Sequence, residues 1–494
     1  MKKIICLVLA LVMLVSVVSC DTPNSNSDDT TVADVTNAPA TENIKTDAEK
    51  YDGVFKVGFA RVDITPDNLP HPRKDGTLIS DVLDPIYATC VAVNDGENTA
   101  LLYTVDLPNI AADTYAAYLL RLKIMTKVPV ENIMISATHN HSAFVPQAPR
   151  GNSQADKWNT EVINHLIDIA NEAIADLTDS EIYYGTAKTT GMAWVRRYLH
   201  EDGTYSNPGT VDGLKSKTPI VGSASEADDT LQLIRFVRKD KTDVVMTNWQ
   251  AHLASAVNAM PKKLTSDLAF YVRDAVEGKE DDVYVAYFAG ASGNINLNAP
   301  TPELKQYRNY QEVGKALGKL IAKTMAVENL TKLEAGKIQG NTTTYKALVW
   351  KDSEERQAQA AEVLALKEGS KEQEALMLKY NFNTLYAAKQ VAGRNGSVTH
   401  RDQYLGAIAF GDLAFVSAPY EMFDNNGMQI KDGSPFKSTF VLTCSGGAQG
   451  YVPSIEAYTI YGGYEVDNTE IAAGEAEKMV SEFLRMLREF RETK

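Results

Sequence analysis

Seven histidines occur in the 494 residues, and three of them stand where chemistry would need them. His139 and His141 lie in Ser136-Ala-Thr-His-Asn-His-Ser-Ala143, directly after the apolar run Asn132 to Ser136. The i,i+2 spacing puts both imidazoles on one face of an extended segment. His252 follows Val244-Val-Met-Thr-Asn-Trp-Gln-Ala251 in the same manner. Strand C-terminal ends are where α/β proteins gather their sites, so two such ends delivering histidines suggest a metal centre; satisfied polar loop residues are the alternative. Neutral imidazoles and a carboxylate form a zinc donor set, commonly with one position left for water. Glu421, in Phe415-Val-Ser-Ala-Pro-Tyr-Glu-Met-Phe423, stands just past another apolar strand and is the carboxylate candidate. The loop Phe288-Ala-Gly-Ala-Ser-Gly-Asn-Ile-Asn-Leu-Asn298 would let backbone N–H groups approach an anion. It matches neither phosphate-loop pattern, and a plain Gly/Asn turn explains it equally. His165 falls in a helix, and His71 and His400 fall in polar loops.

The elements that must position these residues alternate between strand and helix, which predicts an α/β fold. Strands are expected over Phe55 to Ile64, Ile86 to Val93, Ala100 to Val105, Asn132 to Ser136, Ile182 to Thr186, Leu231 to Val237, Val244 to Asn248 and Val283 to Phe288. Ala111 to Lys127 reads as a helix with Tyr115, Leu119, Leu122 and Met125 near one face, and Lys157 to Ala175 as another. Ser266 is placed to cap a helix Leu268 to Val276. Residues 307–329 predict a long amphipathic helix, and 353–393 a charged, Ala-rich insertion of two helical pieces. A hairpin around Gly411-Asp412, a strand Thr439 to Cys444 and a helix 470–491 complete the chain. With no internal repeat and no Pro/Gly-rich linker after residue 55, residues 55–494 read as one large mixed-sheet body with a helical insertion.

Met1 to Cys20 has a basic start, an apolar run from Ile4 to Val18, and ends Val17-Val18-Ser19-Cys20. The run is too short and too tightly bounded for an ordinary spanning helix. Its end resembles a bacterial lipobox, which predicts lipidation at Cys20. A location on the cell envelope, outside the cytoplasm, follows from that reading. Residues 21–54 are Ser-, Thr-, Asn- and Asp-rich and read as a disordered tether. The net charge of −15 gives no basic field for nucleic acid. Four cysteines exclude a disulfide-dense scaffold. Cys90 and Cys444 sit in apolar stretches that predict burial, with a mutual disulfide left open.

Taken in order, these segments resemble the N-terminal catalytic domain of the neutral/alkaline, non-lysosomal ceramidases and their bacterial relatives. The resemblance runs through Val57-Gly-Phe-Ala-Arg-Val-Asp-Ile-Thr-Pro66, the His139/His141 segment, Asn248-Trp-Gln-Ala-His252, Met192 to Pro208 with Arg196-Arg197 and Asp202-Gly203, Ala418-Pro-Tyr-Glu421, and Gly450-Tyr-Val-Pro-Ser-Ile-Glu-Ala-Tyr458. It implies that fold, and a zinc ion held by His139, His252, Glu421 and a tyrosine. Tyr451 is the better match for that tyrosine and Tyr458 the weaker. It implies that His141 faces the substrate carbonyl, that Asn294 and Asn296 line the reaction site, and that Arg196 and Arg197 shape substrate binding. The ceramidases' serine is replaced by Asn296, with Asn294 for the preceding Asp, so no serine role carries over. Ser292 reads as a turn hydroxyl. The immunoglobulin-like C-terminal domain has no counterpart in this sequence.

The resemblance implies zinc-dependent cleavage of an amide bond in a ceramide-like N-acyl sphingoid or another N-acylated small molecule or lipid. Two alternatives stay open. One is a zinc hydrolase of ester, phosphoester or glycan-related substrates, supported by the anion-binding potential of Arg196-Arg197. The other is a non-catalytic, ligand-binding surface lipoprotein.

Overall fold

The computed structural model describes residues 53–492 apart from 74–75, 147–152, 208–217, 280–281 and 395. The leader, Cys20 and the tether up to residue 52 lie outside the described residues.

Apolar strands form a nine-stranded mixed sheet. Its order is Val283–Ala289, Asp243–Trp249, Thr230–Arg238, Thr178–Lys188, Lys56–Asp63, Tyr87–Asn94, Thr99–Val105 and Ile133–Ala137, with Thr331–Leu333 alongside Thr178–Lys188. Asp243–Trp249 runs parallel to Val283–Ala289, and Thr99–Val105 parallel to Ile133–Ala137. A second sheet has the order Ile338–Leu348, His400–Phe410, Leu413–Ser417, Ser438–Leu442, its last pair parallel. The expected large mixed sheet is present, and this four-stranded sheet adds to it. The element missed is Ile338–Leu348, whose run Gln-Gly-Asn-Thr-Thr-Thr is half-exposed and carries no apolar alternation.

The two sheets pack face to face. Val57, Val91, Leu102, Met134, Val244, Met246 and Phe288 of one meet Ile408, Phe410, Phe415, Phe440 and Leu442 of the other. The period-2 alternation of strand side chains then decides the outer layers. Val245 and Trp249 turn away from Val244 and Met246, toward helices Leu268–Val276 and Tyr310–Thr324. Cys90, Leu101 and Tyr103 turn toward helices Ala112–Thr126 and Ser153–Ala175. Helices Asp424–Gly433 and Glu475–Glu492 cover the outer face of the second sheet. The result is a helix–sheet–sheet–helix sandwich.

Local chemistry moves several boundaries. Ser266 does not cap its helix, because its hydroxyl is engaged by the Pro85 carbonyl and the Asp106 carboxylate. Asp267 takes the role, accepting from Leu268 N–H. The expected helix over 307–329 is confined to Tyr310–Thr324, started by the Asn309 side chain. The insertion has three helices, Glu354–Leu364, Lys371–Tyr380 and Leu385–Gly393, capped by Ser353, Ser370 and Thr384. Asn381, at φ 60°, makes the extra break. Cys90 and Cys444 are both buried and both free. Among the described residues no helix is long and apolar enough to cross a membrane.

Candidate metal centre

The parallel strands of both sheets end at one pole, and the site is built from the turns that follow them. Ala137 leads to His139, Trp249 to His252, Ala289 to the Gly-rich loop, Ser417 to Glu421 and Leu442 to Cys444. The sheets meet there through the bridge between Ser136 and Ser445.

His139 takes the left-handed conformation, φ 59°, which is sparsely populated for a side-chain-bearing residue and turns the chain sharply. Asn140, fully buried, anchors the turn from behind. Its Nδ2 donates to the Asp106 and Thr265 carbonyls at 3.2 and 2.6 Å, and its Oδ1 accepts from Ser142 N–H. His139 and His141 consequently project together, and His252 meets them from the neighbouring strand end. The three Nε2 atoms lie 3.0 Å from one another. The expectation set His141 facing a substrate; its Nε2 stands 3.0 Å from each of the other two.

Backbone carbonyls fix two of the rings. His139 Nδ1 donates to Pro108 O at 2.9 Å, and His252 Nδ1 meets Ser292 O at 3.3 Å. A carbonyl only accepts, so each Nδ1 carries a proton, and where the ring is neutral its Nε2 lone pair turns inward. Glu421 Oε2 lies 3.1 Å from His139 Nε2 and 3.8 Å from His252 Nε2, buried and without a well-formed hydrogen bond. Lone pairs and a carboxylate oxygen crowded this closely repel unless a cation sits among them or His139 carries a second proton. Tetrahedral zinc with bonds near 2.0–2.1 Å places its ligand atoms about 3.3 Å apart, close to the spacing here. The donor set fits zinc.

For two of the three rings the electrostatics agree. Burial, joined by the neighbouring His139, takes His141 down to about 3. Burial with the Arg196 charge takes His252 well below the usual imidazole range. Both rings are thus neutral, as ligands must be. Burial also opposes charge on His139 and Glu421. For His139 the adjacent Cys444 and Glu421 outweigh it and raise the ring, and for Glu421 the histidines and Arg196 outweigh it and lower the carboxyl.

Glu421 is held by a short parallel strand pair in which it is the register partner of Tyr451. Gly293 packs against it so closely that an added Cβ would meet Glu421 O at 2.5 Å. The Tyr451 hydroxyl accepts from Arg196 Nη2 at 3.0 Å. Arg196 also donates to Gly293 O at 2.8 Å and, through Nε, to Glu465 at 2.6 Å. Tyr458 is held elsewhere, donating to Ile471 O and stacked on Trp350.

The remaining candidates have structural partners. Asn294 is buried and clamps Asp424, donating to its carboxylate at 2.6 Å and accepting from its N–H. Asn296 pairs in register with Trp194, and its side chain accepts from Asn298 N–H. Arg197 is buried and donates to Asn207 at 2.6 Å. Ser292 is buried and uses its carbonyl to orient His252. His71, expected in a polar loop, is buried against Phe144 and Trp158. Three contributors carried no expectation of a place at the site: Pro108, Glu465 and Cys444, whose Sγ lies 3.3 Å from His139 Nδ1. Cys444 follows an apolar strand just as the histidines do, so the strand-end rule could have found it. Glu465 lies in a polar stretch remote in sequence and carries no such signal.

No protein-family model and no curated protein matches the chain. Solved structures do. A ceramidase complexed with C2 aligns at 16% identity and a TM-score of 0.65, covering 89% of this chain and 76% of that one. The neutral ceramidase from Pseudomonas aeruginosa aligns at the same identity and TM-score, covering 89% of this chain and 75% of that one. At this identity the likeness is one of fold: the chain has the α/β architecture of these ceramidases, around a histidine–glutamate cluster able to hold a metal ion.

Proposed function

We propose that the protein is a zinc-dependent hydrolase that cleaves an amide bond in an N-acyl sphingoid or another N-acylated substrate, lipid-anchored through Cys20 at the outer side of a bacterial envelope. The observation that carries the hydrolase reading is the convergence of His139, His141, His252 and Glu421 at the strand ends of this fold. We take His141 as a ligand beside His139 and His252, because its Nε2 is equidistant from theirs. Zinc bound there supplies Lewis acidity and a readily deprotonated water. Pro108 and Ser292 hold the ligand tautomers. The Glu421 carboxylate would complete the donor set. Arg196 fixes the Tyr451 hydroxyl by donating to it, so the phenol's own proton is left to point at a ligand. Tyr451 thereby closes the site, as a further zinc ligand or as donor to a developing oxyanion.

The phosphoester alternative loses its positive argument, since Arg196 is paired with Glu465 and Arg197 donates to Asn207 inside the fold. The amide reading draws on the ceramidase likeness. The test is zinc analysis of the purified protein with a product assay on N-acyl sphingosines, N-acyl amino acids and phosphomonoesters. Zinc near one per chain with release of an amine supports the reading. Release of phosphate alone, or no turnover with zinc bound, contradicts it.

A further inference from the structure

Arg196-Arg197 and Asp202-Gly203 lie at the foot and the tip of one β-hairpin. Strand Tyr198–His200 runs antiparallel to Tyr205–Ser206, with Tyr198 opposite Ser206. Asp202 and Gly203 make the turn: the Asp202 carboxylate accepts from Thr204 N–H at 3.0 Å, and Gly203 takes φ 80°. Antiparallel register then sets Arg197 opposite Asn207, one step beyond the paired residues. A second lock lies inside the hairpin. His200 Nδ1 donates to Thr218 O at 2.7 Å, and its Nε2 meets the Ser206 hydroxyl at 2.7 Å. The residue before Asn207 is thereby held from both its backbone and its side chain.

Asn207 is buried, and its amide ties the foot of the hairpin to a segment 257 residues further along the chain. Oδ1 accepts from Arg197 Nη1 at 2.6 Å and from Tyr464 N–H at 3.1 Å. Nδ2 donates to Arg196 O at 3.2 Å and reaches Glu465 Oε2 at 3.5 Å. A carboxamide presents acceptor and donor sites together, and both kinds are used here. Gly463 closes the gap between the segments: an added Cβ would meet Arg197 Cζ and Asn207 Oδ1, each at 2.5 Å. What the amide joins is the mounting of Arg196. That guanidinium lies between the rings of Tyr451 and Tyr464, 5.6 and 5.7 Å from their centroids. Its Nε donates to Glu465 at 2.6 Å and its Nη2 to the Tyr451 hydroxyl at 3.0 Å. Asn207 therefore sets the distance between the strand end that carries the guanidinium and the segment that carries its counter-charge and one of its walls.

We propose that Asn207 is a positioning residue for the hydrolytic reaction: it fixes Arg196 against Glu465 and Tyr464, and through Arg196 it directs the Tyr451 hydroxyl. What that hydroxyl then does rests on the zinc amidohydrolase reading. A donor aimed at charge that develops only in the transition state acts on kcat and leaves substrate binding nearly alone. Asn207 touches no reacting group itself, so loss of its amide is felt as a misdirected phenol. The turn at Asp202-Gly203 belongs to the same device, because it decides which residue stands opposite Arg197.

N207D keeps the shape of the side chain, removes both donors and sets a second carboxylate beside buried Glu465. The full chain, carrying isotopically labelled arginine, is compared with the parent by NMR of the arginine Nε–H groups, and R196K marks the Arg196 signal by its absence. Zinc content is measured alongside, with kcat and KM on the N-acyl sphingosine or N-acyl amino acid that the parent turns over. In N207D the Arg196 signal should shift and its exchange with water quicken. Zinc should be unchanged, kcat lower by about 10- to 100-fold, and KM within a few-fold of the parent. G463A crowds the same amide from the opposite segment. It should move the Arg196 signal and kcat in the same sense, and it decides the matter if N207D does not fold. An unchanged Arg196 signal with unchanged kcat overturns the proposal, whatever the thermal midpoint does. A fall in kcat with the Arg196 signal unmoved overturns it too, since the effect then bypasses Arg196. A rise in KM at constant kcat would make Asn207 part of substrate binding and also overturns it. No turnover by the parent withdraws the amidohydrolase reading alone; a shifted Arg196 signal then still upholds the positioning of Arg196 by Asn207, and an unmoved one overturns it.

Discussion

His139 is held from three directions: by a left-handed backbone, by Pro108 O behind its Nδ1, and by the facing nitrogens of His141 and His252. If those nitrogens are ligands, H139A, H141A and H252A should each lose most of the bound zinc, measured by elemental analysis of folded protein. Full zinc with lost turnover in H141A would return that residue to a substrate-facing role. Arg196 permits a cleaner separation. R196K retains a charge for buried Glu465 but loses the fork that reaches Tyr451 and Gly293 O together. Its zinc should be unchanged and its kcat lower by about 10- to 1000-fold, the scale of one misplaced electrostatic donor; an unchanged kcat would make Arg196 purely structural. Asn296 stands where the resemblance implied a residue lining the reaction site, and its contacts are with Trp194 in register and with Asn298 N–H. N296A should therefore stay within a few-fold of the parent rate.

At the scale of elements, the site depends on how closely two strand-end loops approach. Gly293 has no room for a Cβ beside Glu421 O. G293A should weaken zinc affinity by shifting Glu421 while circular dichroism keeps its α/β signature; unaltered zinc affinity would show that the loop yields freely. The histidine segments and Glu421 were legible because apolar strands announce themselves and their ends are few. Side-chain direction was not legible. Asn294 donates to Asp424 and Arg197 to Asn207, partners that composition alone does not announce. The strand Ile338–Leu348 was invisible because its polar residues face half into solvent, and only its eleven-residue pairing with His400–Phe410 makes it a strand. Likewise Ser266 looked like a cap until a buried Asp106 at 2.8 Å claimed its hydroxyl.

Across the whole molecule, the helices that cover the large sheet enclose carboxylates beneath the histidine loop. Burial lifts both Asp84 and Asp267 to about 6, against the pull of hydrogen bonds from Thr265 and Ser266 on the first and from backbone N–H groups on the second. The folded chain holds these protons at a pH where the unfolded chain, with carboxyls near 4, has released them. Stability therefore gains as pH falls from about 6 toward 4, and the burial penalty is fully present above 6. The thermal midpoint of D84N should gain less than that of the parent between pH 7 and 5; equal gains would remove Asp84 from the effect. The fold class could be read in the alternation of strand and helix, whereas the division into two sheets could not, because no local pattern states which sheet a strand joins. The central claim, that strand ends of both sheets bring one zinc ion among His139, His141, His252 and Glu421, is tested most directly by an anomalous difference map collected across the zinc edge from crystals of the purified protein. The account predicts one peak bonded to the three Nε2 atoms and the Glu421 carboxylate. Crystals grown with zinc that show no peak at the cluster, or a peak that leaves these side chains unbonded, would contradict it.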